Sequence, residues 1–474
     1  MKQKILDFFY ELCKIPRRSG NEAAVCAWLC AFAGERGLDY STDELHNVVI
    51  RKPAANGGTG ETVVLQGHTD MVCAAAPESV FHPEFDGVIP VLEGDILRAE
   101  GTTLGADNGI AVATMLAILD ADDLRHPPLE CVFTTQEETG LFGAKAIDPA
   151  LISGRTMINL DSEEEGVATV SCAGGKRLRL ELQSELRIGR GYTLTISIDG
   201  LRGGHSGTDI GLERQNAIKL LGEALNEAGG DIAMLDGGEA DNAIPRSASA
   251  TLLFADAASQ KAAEEALNTW AEEAVADLNA REPGLSIEIS AAAVPTDEQL
   301  CLPAEAGNAL RRLLAVLPWG VRARNPEAGG FIVASENVGV IGLEDDGSLH
   351  LVSSLRSSDP RWMRVMSREI ETLAAAFGFS CTAGSEYPGW SYAPQSRIRD
   401  VMSTVYRELF GKDLRIEAIH AGLECGIFCE KLPGLDAIAI GPDITGCHTP
   451  EERLNVSSAE RVAKLVCAVL ERLS

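Results

Sequence analysis

The 474-residue sequence is short of positive charge: 41 Lys and Arg stand against 70 Asp and Glu, a formal net charge of -29. A phosphate backbone would be repelled by such a chain, so no nucleic-acid partner is expected. No apolar run approaches the roughly 20 residues that a membrane span needs, and no membrane partner is expected. Residues 1–15 have neither a basic n-region nor a long apolar h-region, so no secretory leader is expected. The 12 cysteines include no CxxC pair. Cys26 and Cys30, like Cys425 and Cys429, lie one helical turn apart and read as small buried side chains. With 45% hydrophobic residues the chain can build its core without disulfide staples, which suits a reducing, cytoplasmic setting.

What the chain does have is a regular alternation of elements. Residues 4–36 read as helix broken at Pro16 and Gly20. Short buried strands are expected at 47–50, 62–66, 129–134 and 157–160, with a helix at 105–119. Strands alternating with helices imply a mostly parallel sheet, whose ligand crevice lies at the carboxyl ends of its strands. The middle differs: strands at 192–198, 250–254 and 285–289 accompany helices at 212–225 and 259–279. Strands at 331–341 and 348–355, a helix at 360–377 and a strand at 380–383 then repeat the order, as in two related α+β units of roughly 90–100 residues. From about 390 the first style returns, with helices at 396–410 and 457–472 around a strand at 435–440. The fold class expected is α/β: a domain formed by 1–187 and 389–474, interrupted by an inserted α+β domain at 188–388 with an internal repeat.

Chemistry-bearing residues collect just after the strands of the first style. His68 and Asp70 follow one, Glu137 and Glu138 another, and Asp161 a third; Asp107 lies in the first turn of a helix and His448 in a loop. A neutral imidazole and several carboxylates can hold two divalent metal ions, and a spare carboxylate beside them can take a proton from water. Such a set can hydrolyse an amide at neutral pH. Each member has a plainer reading: a turn with a capping Asp at 68–70, a helix cap at Asp107, a surface acidic turn at Glu137-Glu138. Adjacent carboxylates nonetheless repel unless a cation or proton lies between them. Glu163-Glu164-Glu165 reads as solvated surface, and His46, His82, His126 and His350 as surface or packing residues.

Longer stretches carry a resemblance. They are Ile15-Pro16-Arg17-Arg18-Ser19-Gly20-Asn21-Glu22, Leu65-Gln66-Gly67-His68-Thr69-Asp70-Met71-Val72, Thr103-Leu104-Gly105-Ala106-Asp107-Asn108-Gly109 and Thr135-Gln136-Glu137-Glu138-Thr139-Gly140. Asn159-Leu160-Asp161-Ser162-Glu163, Gly203-Gly204-His205-Ser206-Gly207, His420-Ala421-Gly422-Leu423-Glu424-Cys425-Gly426 and Gly446-Cys447-His448-Thr449-Pro450-Glu451-Glu452 complete the set. In this order, over nearly the whole chain, they resemble the co-catalytic di-zinc peptidases, which include aminoacylases, glutamate carboxypeptidases and bacterial dipeptidases. The forms at 65–71 and 420–426 are similar to the dipeptidase branch rather than the deacylases.

The resemblance implies a di-metal peptidase domain interrupted by a lid domain, acting on dipeptides, Xaa-His among them. It implies one metal on His68, Asp107 and Asp161 and a second on Asp107, Glu138 and His448, with Asp70 orienting His68. Glu137 would be the general base for a metal-bridged hydroxide, and the peptide Asp107-Asn108 would be cis. His205 would polarise the scissile carbonyl, Asn242 and Arg356 would grip the substrate's terminal carboxylate, and His420 and Glu424 would lie near the site. Mixed N/O ligands favour zinc, with cobalt or manganese as alternatives. The expected partner is a dipeptide, and the expected assembly a monomer or homodimer. The competing readings are an N-acyl amino acid amidohydrolase or tripeptidase on the same scaffold, and a non-catalytic metal- or peptide-binding protein.

Overall fold

Four apolar segments, Val63–His68, Leu129–Thr134, Thr156–Asn159 and Asp436–Ala439, are buried along nearly their whole length, as strands covered on both faces must be. In the computed structural model, which describes residues 1–326 and 329–474, they run parallel in the order Leu129–Thr134, Val63–His68, Thr156–Asn159, Asp436–Ala439. Further strands flank this parallel centre, the nearest on each side antiparallel to it. Val48–Lys52 and Asp39–Thr42 extend one side, Val167–Cys172 and Arg415–Ile419 the other, giving eight strands. Helices Lys2–Cys13 and Ala23–Glu35 are separated by the segment holding Pro16 and Gly20, as expected. Helix Ala106–Leu119 packs against strand Val63–His68 and is buried almost throughout, and Lys2–Cys13 packs on it. This unit comprises 1–172, 390–418 and 423–474. The late segment thus returns to complete a sheet begun by the early one.

The second unit, 173–389 with 419–422, is built on a ten-stranded sheet. Its main path reads Ser286–Ala291, Arg187–Asp199, Ala248–Phe254, Asp231–Gly237, then Phe331–Leu343, Ser348–Ser357, Gly174–Gln183, Ser380–Tyr387. From the outer edge inward, each half is ordered as its fourth, first, third and second strand in the chain. In each half one helix precedes strand two (Ala217–Ala228; Ala304–Val316) and another joins three and four (Ala257–Leu278; Pro360–Ala376). The halves meet where Asp236 and Gly237 pair with Gly342 and Ile341. The expected repeat is present, but nested rather than consecutive. The second copy's first strand, Gly174–Gln183, precedes the entire first copy, so the sheet begins before residue 188. One core spans both halves, with Leu178, Ile196, Leu221, Leu252, Leu351, Met366 and Ile370 among its buried members.

All 12 cysteines are free thiols. Among the described residues no helix is long and apolar enough to cross a membrane.

Candidate metal centre

Parallel neighbours end on the same side, so the carboxyl ends of three adjacent strands present His68, Glu137 with Glu138, and Asp161 together. Asp107 arrives from the segment before helix Ala106–Leu119 becomes regular. It is no simple helix cap: its ψ of 106° is extended, and the peptide Asp107-Asn108 is cis. Just upstream, Gly105 has φ +68°, and a Cβ there would collide with the Arg17 guanidinium and the Met71 sulfur. The Asn108 side chain ties this segment to the strand ends, accepting from His68 N at 3.2 Å and donating to Leu160 O at 2.9 Å.

The result is two donor groups sharing Asp107. Its Oδ1 lies 3.2 Å from His68 Nε2 and its Oδ2 3.2 Å from His448 Nε2. Asp161 Oδ1 stands 3.5 Å from His68 Nε2, and Glu138 Oε2 3.0 Å from His448 Nε2. Within each trio, His68/Asp107/Asp161 and Asp107/Glu138/His448, the ligand atoms lie within 4.8 Å of one another, and so do those of His68, Glu137 and Glu138. Asp70 lies behind His68, whose Nδ1 is 3.1 Å from the Asp70 carbonyl oxygen and 3.5 Å from its Oδ1. A proton directed that way leaves the Nε2 lone pair facing Asp107 and Asp161. The Asp70 carboxylate also accepts from the backbone N–H groups of Glu137 (3.1 Å) and Glu138 (3.2 Å) and from Ser19 Oγ (2.7 Å). One aspartate therefore orients the imidazole and holds the acidic turn.

Electrostatics favour a cation here. Burial opposes charge on His68, yet Asp161, Asp107 and Asp70 outweigh it and raise its pKa well above the usual value. Hydrogen bonds to the carboxylates of Asp107 and Glu138 push His448 up to about 10. Burial would raise Asp107, but His448 and His68 hold it far below the carboxylate range. Burial raises Glu138, and it drives Glu137 well above its usual value with help from Asp161, Glu424 and Glu138 against the pull of His68. Glu138 Oε1 is buried without a hydrogen-bond partner among the described residues. Protons and metal ions compete for such a donor set, so groups that hold protons this tightly fit a bound cation.

Several residues of this centre escaped the sequence reading. Glu452, 2% exposed, accepts from the backbone N–H groups of Leu104, Gly105, Ala106 and Asp107 at 2.7–3.1 Å. It lies four residues after His448 and so joins the loops of Asp107 and His448. Arg17, fully buried, donates to the carbonyls of Thr69 (3.0 Å) and Gly105 (2.6 Å). Glu22 accepts from Gln136 N at 3.0 Å, where Gln136 takes φ +51°. The acidic run at 163–165 is not merely solvated surface: Glu163 groups with Asp107 and Cys447 within 4.8 Å, and Glu165 is paired with Arg461. The signal available lay in the 15–22 motif, in which no candidate was expected, and in the 446–452 motif, which extends beyond His448. His46 and His82 are exposed, His350 is half-buried, and His126 is buried against Pro127 O at 2.7 Å, all in keeping with surface or packing roles.

The remaining candidates divide between the units. Glu424 lies in the first, fully buried, its Oε2 accepting from Gln66 Nε2 at 2.5 Å and Thr134 Oγ1 at 2.7 Å; burial pushes it up to about 7. The second unit gathers His205, Asn242, Arg356 and His420. Strand Gly204–His205 pairs with Ala243–Ile244, which sets Asn242 beside it, and the Asn242 carbonyl accepts from Ser206 N at 2.7 Å. His205 Nδ1 accepts from the N–H groups of Gly207 (3.3 Å) and Thr208 (3.1 Å), while its Nε2 is 3.4 Å from Arg356 Nη2. Arg356 Nη1 donates to the Tyr387 hydroxyl at 3.2 Å. Across the sheet from Arg356, Ser335 Oγ lies 2.7 Å from His420 Nε2. Burial and the Arg356 charge lower both imidazoles, His420 to about 3, so they stay neutral beside the guanidinium.

Comparison with known proteins points the same way. A profile of peptidase family M20/M25/M40 matches residues 64–472. The cytosol non-specific dipeptidase of Escherichia coli (strain K12) is 35% identical over 486 residues, covering 99% of this chain and 98% of that protein. The crystal structure of aminoacylhistidine dipeptidase from Vibrio alginolyticus aligns with a TM-score of 0.92 at 32% identity, over 99% of this chain and 96% of that one. A tripeptidase from Staphylococcus aureus, 17% identical with a TM-score of 0.57 over 100% and 98% of the two chains, shares the fold. The chain, with its acid- and imidazole-lined strand ends, belongs to peptidase family M20/M25/M40.

Proposed function

We propose that this protein is a metal-dependent dipeptidase that hydrolyses the single amide bond of unblocked dipeptides, Xaa-His among them. The observation that carries the reading is Asp107, whose two carboxylate oxygens each face a different imidazole, with Asp161 completing one trio and Glu138 the other. The names of the Escherichia coli and Vibrio relatives support the substrate class. His68, Asp107 and Asp161 would hold one divalent ion and Asp107, Glu138 and His448 the other; this N/O donor set suits zinc, with cobalt or manganese as substitutes. When bound, the ions supply an acidified water and positive charge against the developing oxyanion.

The chain's own groups then divide the work. Glu137 takes a proton from water and delivers it to the leaving amine, a role its place beside His68 and Glu138 allows. Asp70 keeps His68 in the tautomer that offers Nε2. In the second unit, His205 polarises the scissile carbonyl, Arg356 and Asn242 bind the substrate's terminal carboxylate, and His420 stands against them as a neutral wall. The test is a panel assay on protein stripped by a chelator and reloaded with zinc. β-Alanyl-histidine and glycyl-histidine should be cleaved only after reloading, with two ions per chain and no turnover of N-acetyl amino acids. Protein carrying two ions that cleaves no dipeptide would end this reading.

A further inference from the structure

Gln66, Thr134 and Asn159 lie on three adjacent strands at the centre of a parallel sheet, where apolar side chains are the rule, yet all three are completely buried. Glu424, at the start of helix Glu424–Lys431, is equally buried. The four form one network. Glu424 Oε2 accepts from Gln66 Nε2 (2.5 Å) and Thr134 Oγ1 (2.7 Å), and Gln66 Oε1 accepts from Asn159 Nδ2 (2.6 Å). Asn159 Oδ1 then accepts from the backbone N–H of Asp161 (3.2 Å), and the Thr134 carbonyl accepts from both N and Oγ1 of Thr69 (2.8 Å each).

Each strand residue lies just before a residue of the metal centre: Gln66 before His68, Thr134 before Glu137, Asn159 before Asp161. A backbone ladder fixes register between strands, and a side-chain network across three of them adds a second, cooperative tie close to their ends. Burying a carboxyl costs stability, and Glu424 Oε1 has no partner among the described residues. Stability alone therefore does not account for an acid where a leucine would pack.

We propose that Glu424 is a positioning residue. Through Gln66, Thr134 and Asn159 it aligns the three strand ends so that His68 and Asp161 hold the spacing that a shared ion requires, with Glu137 set beside them. It contacts neither substrate nor ion. This inference rests on the metal-centre reading above.

The experiment compares Glu424→Leu, Glu424→Gln and Thr134→Val with the unaltered chain. Each is titrated metal-free with cobalt(II), followed by visible absorption, and assayed for kcat and KM after loading. Outer partners of metal ligands are typically worth about 10–100-fold in affinity, and that loss is expected for Glu424→Leu, with a shifted cobalt spectrum, a reduced kcat and an unchanged KM. Glu424→Gln keeps an amide oxygen for Gln66 and Thr134 and should restore most of the affinity. A folded Glu424→Leu protein with the original cobalt affinity and spectrum overturns the proposal, as does a glutamine variant as impaired as the leucine one. If Glu424→Leu does not fold, Thr134→Val decides, since it removes one link at constant shape: unchanged cobalt binding there is equally fatal. Failure of the unaltered chain to bind two ions would instead refute the metal-centre reading itself.

Discussion

Carboxylates repel when they crowd, and Asp107, Glu137, Glu138 and Asp161 crowd around two imidazoles. That repulsion makes Glu137 informative. Glu137→Ala should retain both ions by elemental analysis, while turnover of glycyl-histidine falls by roughly 100-fold or more, the usual worth of a general base. In the metal-free state the same variant should melt higher than the unaltered chain, because burial no longer opposes the ionisation of a carboxyl at this position. His448→Ala tests the other edge. His448 is exposed and carries little packing, so the variant should fold normally and bind a single ion; two ions bound would exclude His448 as a ligand. Glu137, Glu138 and Asp161 were legible in the sequence because each sits in a short polar motif directly after an apolar strand, and Asp107 and His448 because the motifs around them complete the same resemblance. Glu452, Ser19 and Arg17 were not. Their partners are backbone groups or carboxylates far along the chain, and a backbone N–H or carbonyl carries no residue identity that a sequence could display.

Among the elements, the loop at 104–107 shows how a ligand is aimed without regular structure. Glu452 Oε2 serves Leu104 and Gly105, and Oε1 serves Ala106 and Asp107. Glu452→Gln would turn an NH2 toward two N–H donors and remove the charge from the other bonds. The metal-free protein should lose about 1–3 kcal/mol in chemical denaturation, and zinc affinity should fall by about 10–100-fold in competition with a chromophoric chelator. Unchanged zinc affinity would limit Glu452 to a structural role. The nested repeat was legible only in part. Strand Gly174–Gln183 alternates buried Leu178 and Leu180 with outward Arg177, Arg179 and Glu181, a pattern open to reading. Its partners are not: Ser348–Ser357 and Ser380–Tyr387 lie far downstream, and alternation names a face, never a neighbour.

For the molecule as a whole, stability against pH should be limited from both sides by the second unit. Burial pushes the fully buried Glu336 up to about 7 against the pull of Arg322. Its folded pKa exceeds the ordinary 4.5, so its contribution is complete below that value and is lost as pH rises through 7. His420 behaves oppositely: held near 3 against an ordinary 6.5, it favours the folded state above 6.5 and loses that contribution as pH falls. Glu336→Gln should therefore gain stability relative to the unaltered chain between pH 5 and pH 9, by on the order of 3 kcal/mol. A pH-independent difference in urea unfolding would show that Glu336 does not titrate in this range.

The sheet of the first unit has a consequence for how the protein is made. Thr156–Asn159 and Asp436–Ala439 are neighbours in space, and the chain spells out the entire second unit between them. A ribosome therefore releases an early half-sheet with a bare flank. At about 5–20 residues per second its final partner arrives only after tens of seconds. Throughout that wait the nascent polypeptide offers unpaired amides and carbonyls to any passing strand, a window in which a chaperone's shelter counts for more than the thermodynamics of the finished enzyme.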